Sequence, residues 1–274
     1  MNFFSPIEVT KNYAVSGVKK SERSFGRMFI LSLLAGLMIA FGAASVNTAT
    51  HSIGNVSAAR VISGLLFPFG LGMVMLCGAE LFTGNCMIAV SVLEGMLSTS
   101  RMLRSWICVY IGNFAGSILL AAGCAFFGQF DYSGGGLALF TIRVAAAKCA
   151  IPFFSGVILG FFCNVLVCLG VLCSISAKDT AGRILGAYIP VSLFVICGFE
   201  HSIANMYFIP AGIFASRMVK YSTLAVQAGL DVSSLTWQNF LTQNLLPVTI
   251  GNIAGGVFVG VVMWAGHLRG AERQ

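Results

Sequence analysis

Charge is what this chain has least of. Only 9% of its 274 residues are Asp, Glu, Lys or Arg, against about 25% in a soluble domain. A water-facing enzyme of this length needs a polar surface that such a composition does not supply. Dithiol and zinc patterns are absent too. The nine cysteines (Cys77, Cys86, Cys108, Cys124, Cys149, Cys163, Cys168, Cys173 and Cys197) fall almost entirely within apolar runs, with no Cys-x-x-Cys among them. Such thiols behave as small hydrophobes rather than redox or metal centres. No Gly-x-Ser-x-Gly occurs, so an intramembrane hydrolase lacks its nucleophile motif. The first 27 residues have no apolar core or small-residue cleavage site, so they are not expected to be a signal peptide. Nothing in the pattern calls for a cofactor or a metal.

What the chain does have is apolar length. Hydrophobic residues make up 57% and the mean hydropathy is +0.90, the signature of an integral membrane protein. Six apolar segments stand out, at 28–49, 61–93, 106–127, 149–173, 184–214 and 245–267, each long enough to cross a bilayer. An even number of crossings puts both termini on one side. That side carries eleven Lys and Arg and the other carries five, so the termini are expected in the cytoplasm and the protein in the inner cell membrane. The net charge of +7 is spread among loops and reflects orientation, not a nucleic-acid partner. Residues 1–27 are expected to form an amphipathic helix on the cytoplasmic face, opened by Ser5, Pro6 and Glu8 as cap, N1 and N3. Residues 28–268 form the transmembrane domain and 269–274 a cytoplasmic tail.

The second and fifth segments are interrupted near their middles. Gly78-x-Glu80-x-x-x-x-Asn85 recurs as Gly198-x-Glu200-x-x-x-x-Asn205, 120 residues later. At that offset Leu33-Leu34-Ala35-Gly36 lies over Phe153-Phe154-Ser155-Gly156. Ile111-Gly112-Asn113-Phe114-Ala115-Gly116 matches Ile250-Gly251-Asn252-Ile253-Ala254-Gly255. Each half has three crossings, so the halves run in opposite directions. The expected fold is an all-α membrane protein, six transmembrane helices in an inverted 3+3 repeat, with helices two and five broken near the midplane. Broken helices expose backbone groups that lipid cannot satisfy, so the breaks must line protein or a watery path.

At these breaks the sequence resembles the formate/nitrite transporter family. The resemblance rests on Glu80-Leu81-Phe82-Thr83-Gly84-Asn85, on Gly198-Phe199-Glu200-His201-Ser202-Ile203-Ala204-Asn205-Met206, and on Asn164-Val165-Leu166-Val167-Cys168-Leu169. It extends over nearly the whole chain, and within the family the chain is most similar to the hydrosulfide channel branch. The resemblance implies an aquaporin-like fold, a homopentamer with one pore per subunit, and passage of a small monovalent weak-acid anion. Hydrosulfide comes first, formate and nitrite next, and a proton-coupled anion carrier is the alternative. No Asn-Pro-Ala occurs, which argues against a water channel proper.

His201 is the expected centre, since ionisable groups at membrane depth are rare and functional. The resemblance pairs it with the Thr83 hydroxyl, adds Asn164 and Asn205, and gives Lys148 the task of drawing anions into the vestibule. Phe67, Leu71, Leu81, Phe82, Val167 and Phe194 would form two apolar constrictions around the His201 chamber. Glu80, Glu200 and Asn85 are expected to hold the breaks together, the carboxylates accepting freed backbone N–H groups. Trp106, Trp237 and Trp264 are expected as interfacial anchors.

Overall fold

In the computed structural model, which describes residues 2–270, the chain is all helical apart from one β-bridge between Phe3 and Ala177. Helix α1 (Pro6–Ser21) begins at a capping box: Ser5 Oγ accepts from Glu8 N while Glu8 Oε2 accepts from Ser5 N at 2.7 Å. Then follow α2 (Phe25–Thr50), α3 (Val56–Cys77), α4 (Phe82–Leu93), α5 (Thr99–Phe126), α6 (Gly136–Cys149), α7 (Phe153–Ser176), α8 (Thr180–Cys197), α9 (Ser202–Arg217), α10 (Val219–Gln227) and α11 (Trp237–His267). Six of these, α2, α3, α5, α7, α8 and α11, are long and apolar enough to cross a membrane. Large apolar side chains such as Ile30, Ile107, Phe154 and Ile189 stand exposed on their outer faces, a surface suited to hydrocarbon. The tail expected at 269–274 lies largely outside the described residues.

Glycine lets the crossing helices approach at two matched places. A Cβ on Gly116 of α5 would collide with the Leu33 carbonyl of α2, and one on Gly255 of α11 with the Phe161 carbonyl of α7. Contacts of this kind are how small residues bring membrane helices together. They also correct the repeat alignment. Gly112 faces Phe29 and Leu33 while Gly251 faces Val157 and Phe161, so α2 and α7 correspond at an offset of 128, not 120. The breaks keep the 120-residue offset; the connection between helix and break is shorter in the second half.

The connection between α5 and α7 contains a full helix, α6, whose buried face (Leu137, Ala138, Thr141, Ile142, Ala145) packs on the rest of the protein. Helix α1 buries Val9, Tyr13, Ala14 and Gly17 against protein. It is docked onto α4 by Ser91 Oγ, which donates to the Ala14 carbonyl at 2.7 Å.

Candidate functional site

The site is assembled where helices stop. Helix α3 ends at Gly78, which takes a left-handed φ of 64°, and α8 ends at Gly198 with φ 73°. Only glycine enters this region without strain. Leu81 and His201 are then extended, and α4 and α9 start at the following residue.

One asparagine ties each break. Asn113 Oδ1 accepts the Phe82 N–H at 2.9 Å, while its Nδ2 donates to the Ser32 and Glu80 carbonyls. Asn252 Oδ1 accepts the Ser202 N–H at 2.9 Å, and its Nδ2 donates to the Gly160 and Glu200 carbonyls. These two side chains satisfy backbone groups that would otherwise be orphaned in the interior. They were legible as the repeated Ile-Gly-Asn signature but were not among the expected site residues.

The carboxylates do other work than expected. Glu80 and Glu200, both buried, accept from side chains rather than from freed backbone N–H groups. Glu80 is bonded by Arg23 and by Asn85 Nδ2 at 2.8 Å, with Lys20 Nζ 3.3 Å away. Glu200 receives Lys148 Nζ at 2.7 and 2.9 Å and Asn205 Nδ2 at 2.7 Å. Lys148 lies in the last turn of α6, and its charge is spent on Glu200. Helix α1 reaches the first break directly: Tyr13 Oη donates to the Gly84 carbonyl at 2.6 Å and Lys20 Nζ to Asn85 Oδ1 at 2.9 Å.

Thr83 and His201 meet between the breaks, Oγ1 and Nε2 standing 2.9 Å apart in full burial. His201 Nδ1 accepts the Ala204 N–H at 3.1 Å, so the imidazole serves as N-cap of α9. A nitrogen that receives an N–H carries its lone pair there, so a neutral ring holds its proton on Nε2 and donates it to Thr83 Oγ1. The Thr83 hydroxyl hydrogen is left to point elsewhere. Asn164 Nδ2 fixes the Thr83 carbonyl at 3.1 Å.

Two cavities approach this pair. The first, about 560 Å³, is lined by Lys148, Arg60, Glu200, Asn205, Phe67, Phe194 and His201. The Phe67 and Phe194 rings are 5.7 Å apart and lie 6.4 and 5.8 Å from the imidazole. The second, about 340 Å³, is lined by Lys20, Arg23, Arg183, Glu80, Asn85, Leu71 and Leu81. In each cavity basic side chains outnumber the single carboxylate. Phe82 and Val167 line neither; the Phe82 ring packs on Trp106 and Tyr110 at 6.4 and 4.8 Å. Trp106 is buried and donates to the Asn85 carbonyl at 2.9 Å, so it braces the first break instead of anchoring an interface.

A family model described as "Formate/nitrite transporter" matches residues 7–265. The chain belongs to the formate/nitrite transporter family. It is 35% identical over 271 residues to the formate channel FocA of Escherichia coli (strain K12), covering 96% of this chain and 94% of the relative. It is 31% identical over 287 residues to a probable formate transporter of Methanothermobacter thermautotrophicus, covering 98% of each. Among solved structures it superposes on one described as a pentameric formate channel with formate bound, with TM-score 0.78 and 33% identity over 89% of this chain and 98% of that one. Membership of this transporter family, with six membrane-length helices, makes the protein a multi-pass membrane protein.

Proposed function

We propose that the chain is a channel for small monovalent weak-acid anions, with one pore per subunit of a homopentamer, and that formate is its first substrate. The resemblance favoured hydrosulfide; the relatives named above are described as formate channels or a probable formate transporter, and formate therefore moves ahead, with nitrite and hydrosulfide as the other arms of the test. The observation that carries the reading is the Thr83–His201 pair, buried between two basic cavities. In this reading the halves are an inverted, aquaporin-like repeat whose breaks meet near the midplane, the termini and the second cavity face the cytoplasm of the inner membrane, and the first cavity faces out.

An anion entering either cavity meets a positive field. Phe67 and Phe194 on one side, and Leu71 and Leu81 on the other, strip its water, a cost that a bare anion bears poorly. Thr83 Oγ1 offers the next hydrogen-bond donor, with His201 Nε2–H behind it. A weak-acid anion that takes a proton from the water of the cavity, formate becoming formic acid, crosses the apolar rings as a neutral molecule, with Thr83 and His201 hydrogen-bonded to it. Asn164 and Asn205 hold the chamber's walls, and Phe82 and Val167 back them.

Proteoliposome flux of formate, nitrite and hydrosulfide, with His201→Ala beside the parent, tests this. The parent should pass formate, and His201→Ala should remove or reshape the pH dependence of flux. Unchanged pH dependence would count against the histidine, and flux abolished by collapsing the proton gradient would favour a coupled carrier.

A further inference from the structure

The first cavity holds one cation whose charge is not already taken. Three ionic side chains line it: Lys148, Glu200 and Arg60. Lys148 and Glu200 bond each other at 2.7 and 2.9 Å and cancel. The remaining Glu200 contact goes to Asn205. Arg60, exposed in the first turns of α3, joins none of the ion pairs among the described residues. Its guanidinium lies against the break itself, and a Cβ on Gly198 would sit 3.1 Å from Nη1 and 3.3 Å from Nη2. The planar fork thus lines the same cavity as the Phe67–Phe194 rings, and its donors are open.

Building on the channel reading, we infer that Arg60 is the anion-capturing residue of the first cavity and that it favours planar anions with two oxygens over monatomic-donor anions such as hydrosulfide. A guanidinium presents paired N–H donors that match a carboxylate or nitrite in bidentate fashion, whereas an ammonium acts as a point charge. Lys148, neutralised by Glu200, positions the break and contributes little net field. The basic character of this cavity therefore rests on one arginine that no expectation singled out.

The test uses full-length protein in proteoliposomes at low ionic strength, reading initial rates of formate and hydrosulfide uptake at sub-saturating and saturating concentrations. Arg60→Gln should lower the sub-saturating rates of both anions at least about threefold, because one uncompensated charge is lost from a low-dielectric funnel, and leave the saturating rates near parent values. Added salt should shrink the difference between parent and variant. Arg60→Lys should retain the hydrosulfide rate but lower the formate rate about twofold or more. Arg143→Gln, on an exposed α6 position away from this cavity, controls for general surface charge. The inference is overturned if Arg60→Gln leaves sub-saturating rates unchanged, matches Arg143→Gln, or lowers saturating rates in proportion. Equal effects of Arg60→Lys on both anions would overturn the two-oxygen preference. A parent protein that passes none of the anions would overturn the channel reading itself, and Arg60's role with it.

Discussion

Asn113 and Asn252, 139 positions apart in the chain, make the same three hydrogen bonds at the two helix breaks. Each is fully buried, and each satisfies one amide and one carbonyl of the break while adding a bond to a helix carbonyl, Ser32 or Gly160, across the contact. The break is therefore not a loosened helix. It is a fixed structure whose polar groups are closed by a neighbouring helix.

Replacing either asparagine by alanine should lower stability by more than about 2 kcal/mol, since each buried group left open costs about 1–3 kcal/mol. Thermal denaturation of the detergent-purified oligomer measures it. Asn113→Asp, which keeps the acceptor for Phe82 N–H but sets a buried carboxylate oxygen against the Ser32 and Glu80 carbonyls, should cost at least as much as alanine. Melting temperatures equal to the parent's would show that the breaks close without these side chains.

The Lys148–Glu200 pair gives a double-mutant cycle. Lys148→Met strands a carboxylate whose side chain is 6% exposed, and loss of one partner from a buried pair costs about 3–5 kcal/mol. Glu200→Gln alone should also destabilise. The combined Lys148→Met, Glu200→Gln protein should recover much of the loss. Additive single effects would refute coupling between the two.

Glycines at the crossings should separate by what lies above them. Gly116→Ala and Gly255→Ala force a methyl group into a facing carbonyl and should cost about 1–3 kcal/mol. Gly123→Ala, on the same helix as Gly116 with nothing within 4 Å, should instead stabilise by about 0.5–1 kcal/mol. Denaturation of the three variants side by side decides it.

The segment between α5 and α6 should loosen only in acid. Hydrogen bonds from Lys220 and Tyr221 hold the Asp131 carboxyl below its ordinary value of 3.8. A depressed carboxylate contributes its stabilisation above that ordinary value, and the contribution disappears as pH falls through the lowered one. Tyr221, pushed up to about 12 by burial and then by Asp131, keeps its proton throughout. Protection from hydrogen exchange at residues 129–136, relative to the intrinsic amide rate at each pH, should therefore be flat at neutral pH and fall only at strong acidity. Asp131→Asn should exchange faster at neutral pH and show no acid step.

The sequence made the crossings and their interruptions plain because both rest on local signals: apolar runs for one, glycine, charge and asparagine in an apolar setting for the other. The 120-residue offset was readable at Glu80 and Glu200 for the same reason. It failed for α2 and α7, whose apolar residues match almost any register, and only the glycine contacts fix the 128-residue correspondence. Lys148 was legible as a basic residue near a crossing; that it ends a helix and neutralises Glu200 is a tertiary fact. Phe82 and Trp106 show the same limit. An aromatic in a break motif and a tryptophan near a segment end have no local mark saying that they pack on each other.

The order of the chain adds a point about biogenesis. Lys20 and Arg23 precede Glu80, and Lys148 precedes Glu200. When either carboxylate leaves the ribosome, its counter-charge has already been made. Asn113 and Asn252 come later than the breaks they close. A nascent second or fifth span can thus be charge-neutral on arrival and still carry open backbone groups, which stay hydrated or transiently sheltered until the next span is synthesised.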